Sequence, residues 1–148
     1  MTLSHELRQI KTIFLDTAPI IYYIEAHPHF GHIAKVAVDA FQSGELIAFS
    51  SVITLAEVLP KPIQLGREDL ARKFAEFLRK GKNFNLIEIS ADIAEKAGRL
   101  RSKYPVLRAM DAIQLSTAID VDVDAFLTND KKLKQIKEVK VLFLKDYL

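Results

Sequence analysis

The chain has 148 residues, 49% of them hydrophobic and 27% charged, with a net charge of +2. That length suits one domain with a full hydrophobic core, and the balance excludes a disordered or low-complexity chain. The absence of cysteine excludes disulfides, thiolate metal sites and a cysteine nucleophile, and so small a net charge does not by itself mark a nucleic-acid binder.

Met1 to Lys11 is polar and lacks the apolar core of a signal peptide, and no apolar stretch is long enough to span a bilayer. A soluble cytoplasmic protein with no membrane segment is expected. Thr12 to Leu15 is β-branched and apolar and reads as a first strand. Asp16, Thr17 and Pro19 then open an apolar helix through Ile24, because Asp or Thr caps a helix and Pro suits its first turn. A loop over His27 to Gly31 precedes helical spacing from Ile33 to Phe41, stopped at Gly44.

Leu46 to Phe49 predicts a second strand, and Ser50 and Ser51 offer caps for a short helix over Val52 to Leu59 that Pro60 and Pro62 end. Glu68 to Lys80 is amphipathic, with Leu70, Phe74, Phe77 and Leu78 apolar. Phe84 to Ile89 reads as a third strand, followed by a helix that Ser90 caps. Asp111 begins or closely precedes another helix, Ala125 to Leu127 reads as a fourth strand, and Val139 to Leu144 as a fifth. Strands alternating with helices predict an α/β fold: three layers, α/β/α, around a central, mostly parallel sheet of about five strands, in a single domain over residues 1–148.

Four acids stand out against this frame. The first strand ends at Asp16 and the fourth runs into Asp130, and ligands of open parallel sheets bind beyond the carboxyl ends of the strands. Glu57 and Asp111 lie in otherwise apolar surroundings, where a carboxylate is costly unless paired, hydrogen-bonded or metal-bound. Capping accounts equally well for each Asp taken alone. Glu57 lies too far into its helix to cap it, though a surface ion pair would explain it. The other account is Mg²⁺ or Mn²⁺, hard cations that prefer carboxylate oxygen and water. Such a cation neutralises clustered carboxylates and activates water towards a phosphate.

The segments Phe14–Thr17, Pro19–Tyr22, Ser51–Val58, Met110–Leu115 and Phe126–Leu133 carry a resemblance over nearly the whole chain. They resemble, in order and separation, the PIN-domain ribonucleases, and most closely the VapC-type toxins of toxin–antitoxin pairs. The resemblance implies that Asp16, Glu57, Asp111 and Asp130 hold the metal. It implies that Thr128 positions a water or ligand by its hydroxyl, with Thr17 in similar work beside Asp16. Many relatives carry another acid after the fourth. Lys131 and Lys132 stand there instead, so one tightly held ion, with a second recruited by substrate phosphate, is the expectation. The implied activity is metal-dependent endonucleolytic hydrolysis of RNA. The implied partners are a second copy of the chain and a small VapB-type antitoxin whose basic or aromatic side chain fills the acidic groove.

Other features draw blander readings. His27, His29 and His32 read as a polar loop rather than a transition-metal site. Tyr22 and Tyr23 read as packing residues before base-stacking ones. Arg108, three residues before Asp111, suits a phosphate contact or a surface ion pair about equally. Asn129 shapes a turn, and Ser51 and Thr54 suggest caps first and substrate contacts second. The lysines from Lys131 to Lys140 and the basic run from Arg99 to Arg108 read as solvated faces. No catalytic Ser–His–Asp spacing, Walker loop or Gly-rich dinucleotide fingerprint is present. Two other readings remain: a non-catalytic PIN-like module binding RNA or protein, and a small α/β enzyme with Asp16 as nucleophile. The second lacks the usual partner acid two residues on, where Ala18 stands.

Overall fold

In the computed structural model, which describes residues 1–148, five short strands form one sheet. β1 (Thr12–Leu15), β2 (Ile47–Ser51), β3 (Phe84–Ile87), β4 (Ala125–Thr128) and β5 (Val141–Phe143) lie in the order β3-β2-β1-β4-β5, every pair parallel. A parallel sheet needs both faces covered, and alternation along each strand supplies two apolar faces. Ile13, Leu15, Ala125 and Leu127 join one core, with residues of α1 (Leu3–Leu7), α2 (Thr17–Ile24), α3 (Gly31–Gln42) and α6 (Glu68–Lys80). Phe14 and Phe126 join the other, with Ala97 and Leu100 of α7 (Ala91–Lys103) and Ala112 and Leu115 of α8 (Ala109–Asp120). The Phe14 and Phe126 rings stack 5.3 Å apart. The three-layer α/β/α architecture and its five strands are as expected from the sequence, with the sheet wholly parallel.

Several boundaries follow the anticipated chemistry. Asp16, Ser51 and Ser90 each cap a helix by accepting a backbone N–H; Ser51 starts α4 (Val52–Val58). Gly44 adopts φ +91° just past α3, a conformation glycine enters without a Cβ penalty.

Other boundaries differ. The polar N-terminus forms α1, capped by the Thr2 hydroxyl, and buries Leu3 and Leu7; two apolar residues in one turn are too few to show a period. Pro60 does not merely end a helix. It opens a further short one, α5 (Pro60–Gln64), because proline at the first helical position sacrifices no intrahelical bond. The third and fifth strands stop earlier than anticipated, at Ile87 and Phe143, and the fifth starts two residues later, at Val141. No helix is long and apolar enough to cross a membrane.

The strand order places the site. After β1 the chain adds β2 and β3 on one side, then returns to add β4 and β5 on the other. The switch point therefore lies between β1 and β4, and a crevice opens beyond their carboxyl ends. Asp16 directly follows β1, and Asp130 follows β4 by two residues.

Phe126 is fully buried in β4, beside that crevice. Phe126→Ala is expected to lower unfolding stability by about 3–5 kcal/mol, the usual range for truncating a core aromatic. Urea denaturation checks this; a loss below about 1 kcal/mol would contradict the packing described.

Candidate metal centre

Each acid is held by a different segment. Asp16 accepts the Thr17 backbone N–H on Oδ1 at 2.9 Å and the Thr128 hydroxyl on Oδ2 at 2.8 Å. Thr128, fully buried at the end of β4, also accepts the Asp130 backbone N–H at 3.0 Å. Its only hydroxyl proton is thus directed at the Asp16 carboxylate, and its oxygen fixes the start of the turn that carries Asp130. Asp130 accepts the Lys132 backbone N–H at 3.0 Å and caps a 3₁₀ turn over Lys131–Gln135. For Asp16 and Asp130, capping therefore accompanies whatever else the carboxylates do.

Asp111 is not a cap. Arg108 occupies that position without a capping side-chain bond, and Asp111 is the third residue of α8. The unsatisfied N–H groups of a helix start favour a carboxylate there. Arg108 lies 3.4 Å from Asp111 Oδ2, with its own side chain largely in solvent. Glu57, near the end of α4, accepts the Thr17 hydroxyl at 2.7 Å.

All four acids line one cavity of about 380 Å³, together with Thr17, Thr128, Tyr22, Asn129, Arg108 and Lys131. Burial pushes the Asp16 carboxyl up from 3.8 to about 6. The bonds from Thr128 and Thr17 pull it down, and repulsion from Asp111 and Glu57 adds to the rise. Burial and like charge both disfavour the ionised form of such an acid, and a neighbouring cation would favour it. The donors are all carboxylate oxygens, the chemistry of a hard divalent ion. The set is open: no three of the chain's acidic or histidine side chains are arranged to hold one ion as they stand. Their oxygens instead rest on hydroxyl, backbone and cationic donors. By donor type and charge the residues fit Mg²⁺ or Mn²⁺, with Asp16, Glu57, Asp111 and Asp130 as the groups able to hold it.

The remaining sequence candidates divide. His27 Nδ1 accepts the His29 and Phe30 backbone N–H groups, both at 3.1 Å, so the histidine loop is a turn fastened by one imidazole. His27 and His32 line a separate cavity of about 390 Å³ with Lys35 and Lys73, but no carboxylate lines it. Tyr22 lines the acidic cavity, stacks on Phe30 at 5.0 Å and accepts from Asn129 Nδ2 at 3.1 Å. Asn129 Oδ1 is buried without a partner. Ser51 caps α4 as expected, whereas Thr54 does not; its hydroxyl bonds Gln114 of α8. Gln114 drew no expectation. The signal for it was the run Gln114, Ser116, Thr117, three polar residues on an apolar helix and all buried.

Comparisons with known proteins bear on the family and the fold. A family model described as "PIN domain" matches residues 13–139. No curated protein matches the chain. Among solved structures, the chain resembles VapBC2 from Rickettsia felis bound to a promoter DNA fragment, at 22% identity and a TM-score of 0.71, covering 89% of this chain and 98% of that one. A toxin–antitoxin complex from Klebsiella pneumoniae is 28% identical with a TM-score of 0.66, covering 89% and 97%. The sarcin–ricin-loop-cleaving toxin VapC20 from Mycobacterium tuberculosis is 17% identical with a TM-score of 0.67, covering 86% and 98%. The matched span contains all four acids and, apart from Thr12, strands β1 to β4, and the chain belongs to the PIN domain family.

Proposed function

We propose that the chain is an endoribonuclease dependent on Mg²⁺ or Mn²⁺, acting in the cytoplasm as the toxin of a toxin–antitoxin pair. One observation carries this reading: acids from four separate segments meet in one cavity at the switch point of the sheet, around a buried carboxyl raised to about 6. The structural neighbours, among them a toxin–antitoxin complex and a sarcin–ricin-loop-cleaving toxin, support it.

A divalent cation bound there would supply charge neutralisation and activation of water for phosphodiester hydrolysis. Asp16, Glu57, Asp111 and Asp130, which line the cavity, would hold the ion. Thr128 orients Asp16 by donating to Oδ2. Arg108 and Lys131 line the same cavity, are exposed and offer positive charge to substrate phosphates. A homodimer and a VapB-type antitoxin inserting a basic or aromatic side chain among the acids complete the reading. A non-catalytic PIN-like binding module is the second reading, favoured by the open arrangement of the carboxylates.

Purified protein with mixed RNAs and Mn²⁺ is expected to cleave, and chelator to stop it. Asp111→Asn should reduce cleavage by more than the roughly 10–100-fold usual for residues that only support a ligand. Native-level cleavage by that folded variant would overturn the proposal, and RNA binding without turnover at any metal would favour the second reading.

Asp16 also predicts a pH dependence for metal-free protein. Its carboxyl binds a proton more tightly in the folded chain, at about 6, than the ordinary 3.8 of an unfolded one. The folded state is therefore favoured at low pH, and this contribution falls as pH rises from 3.8 to about 6, then levels. Metal-free Asp16→Asn should melt higher than the native chain at pH 8, with the gap closing towards pH 4. A gap independent of pH in thermal melts would contradict the burial described.

A further inference from the structure

The proton inventory of a buried hydroxyl chain has a definite direction. Ser51, Thr54 and Gln114 are almost wholly buried. Ser51 Oγ donates to Gln114 Oε1, and Gln114 Nε2 donates to Thr54 Oγ1 at 2.7 Å. Thr54 Oγ1 also lies 2.9 Å from the Ser50 hydroxyl, which reaches the Leu15 carbonyl at the same distance. Thr17 Oγ1 lies 3.2 Å from Thr54 Oγ1 and 2.7 Å from Glu57 Oε1.

A carboxylate only accepts, and each hydroxyl has one proton. Thr17 donates to Glu57, so the proton between the two threonines comes from Thr54. Thr54 is free to give it because Gln114 donates to Thr54. The opposite amide orientation would draw the Thr54 proton to Gln114 and leave the Thr54–Thr17 contact with no hydrogen in it. With the single Ser50 proton given to Thr54 rather than to the Leu15 carbonyl, one orientation satisfies the path Ser51 to Gln114, Gln114 to Thr54, Thr54 to Thr17, Thr17 to Glu57. Chains of this kind polarise cooperatively.

The chain's anchors matter. Gln114 lies three residues after Asp111 on α8, Thr54 three residues before Glu57 on α4, and Thr17 next to Asp16. The relay therefore ties together three of the four acid-bearing segments below the cavity.

We propose that Gln114 and Thr54 are positioning residues: through Thr17 they fix one oxygen of Glu57, lock α8 to α4, and thereby set the affinity of the acidic cavity for a divalent cation. The inference rests on the reading of that cavity as a cation site. A network that served stability alone would change the melting temperature of its variants and leave the affinity of the folded protein untouched.

The test is Mn²⁺ affinity of the purified full chain, read from the electron paramagnetic resonance signal of free Mn²⁺. Thr54→Val and Gln114→Leu should weaken binding roughly 10–100-fold, the range for groups that support metal ligands, while Thr54→Ser stays near native. Thr17→Val breaks the last link and should give the same loss; lying half-buried, it carries the test if the Thr54 or Gln114 variants fail to fold. Combining Thr17→Val with Thr54→Val should weaken binding no further than the worse single change, because both interrupt one chain. Unchanged affinity in folded Thr54→Val or Thr17→Val, or fully additive losses, overturns the relay while the cation site stands. Absence of saturable Mn²⁺ binding by the native chain overturns both.

Discussion

The structure turns on one electrostatic problem: a carboxylate held beneath the surface where the sheet reverses its direction of growth. Asp16 sits there because β1 ends there, and burial holds its carboxyl above the ordinary carboxylate range despite the bonds it accepts from Thr128 and Thr17. Burying a charge without a partner costs several kcal/mol in real proteins. A fold retains such a group where something else offsets the cost, and perturbed acids accordingly cluster at functional sites. Asp111 and Glu57 make the problem worse, since both repel Asp16. A chain selected for stability alone would place a lysine or an amide here; this one places three more acids around the same cavity.

The rest of the architecture supports that arrangement. Central strands with four and three fully buried residues, β4 and β1, give the two strand ends a rigid base. Thr128 connects them, donating across the crevice to Asp16 and accepting from the backbone of Asp130. On the other side, the hydroxyl chain from Ser51 to Glu57 joins α8, α4 and α2. Polar contacts of this kind specify one arrangement because any slip leaves a buried donor or acceptor unpaired. The acids thus approach one another on supports that do not relax easily, while their outer oxygens rest on exchangeable donors such as Arg108 and Lys132.

Much of this was legible in the sequence because it is local. Strand and helix alternation, the caps at Asp16, Ser51 and Ser90, and the stop at Gly44 follow from periodicity and turn chemistry within a few residues. The convergence of Asp16 and Asp130 followed from the rule that parallel sheets bind ligands beyond their strand ends. What was not legible is either too short or too distant. Leu3 and Leu7 make α1 only because α3 offers a surface to bury them. Pro60 carries opposite meanings, ending one helix and opening the next. Asp111 looks like a cap until the helix is seen to start at Ala109. Thr54 and Gln114, sixty residues apart, acquire a role only when α4 and α8 meet.

The most direct test of the shared-cation claim is a crystal structure grown with Mn²⁺ and measured for anomalous scattering. The account predicts an anomalous peak in the crevice between β1 and β4, contacted directly or through water by Asp16, Glu57, Asp111 and Asp130. Mn²⁺ ordered elsewhere, or none in the crevice at saturating concentration with the four carboxylates still apart, would contradict it.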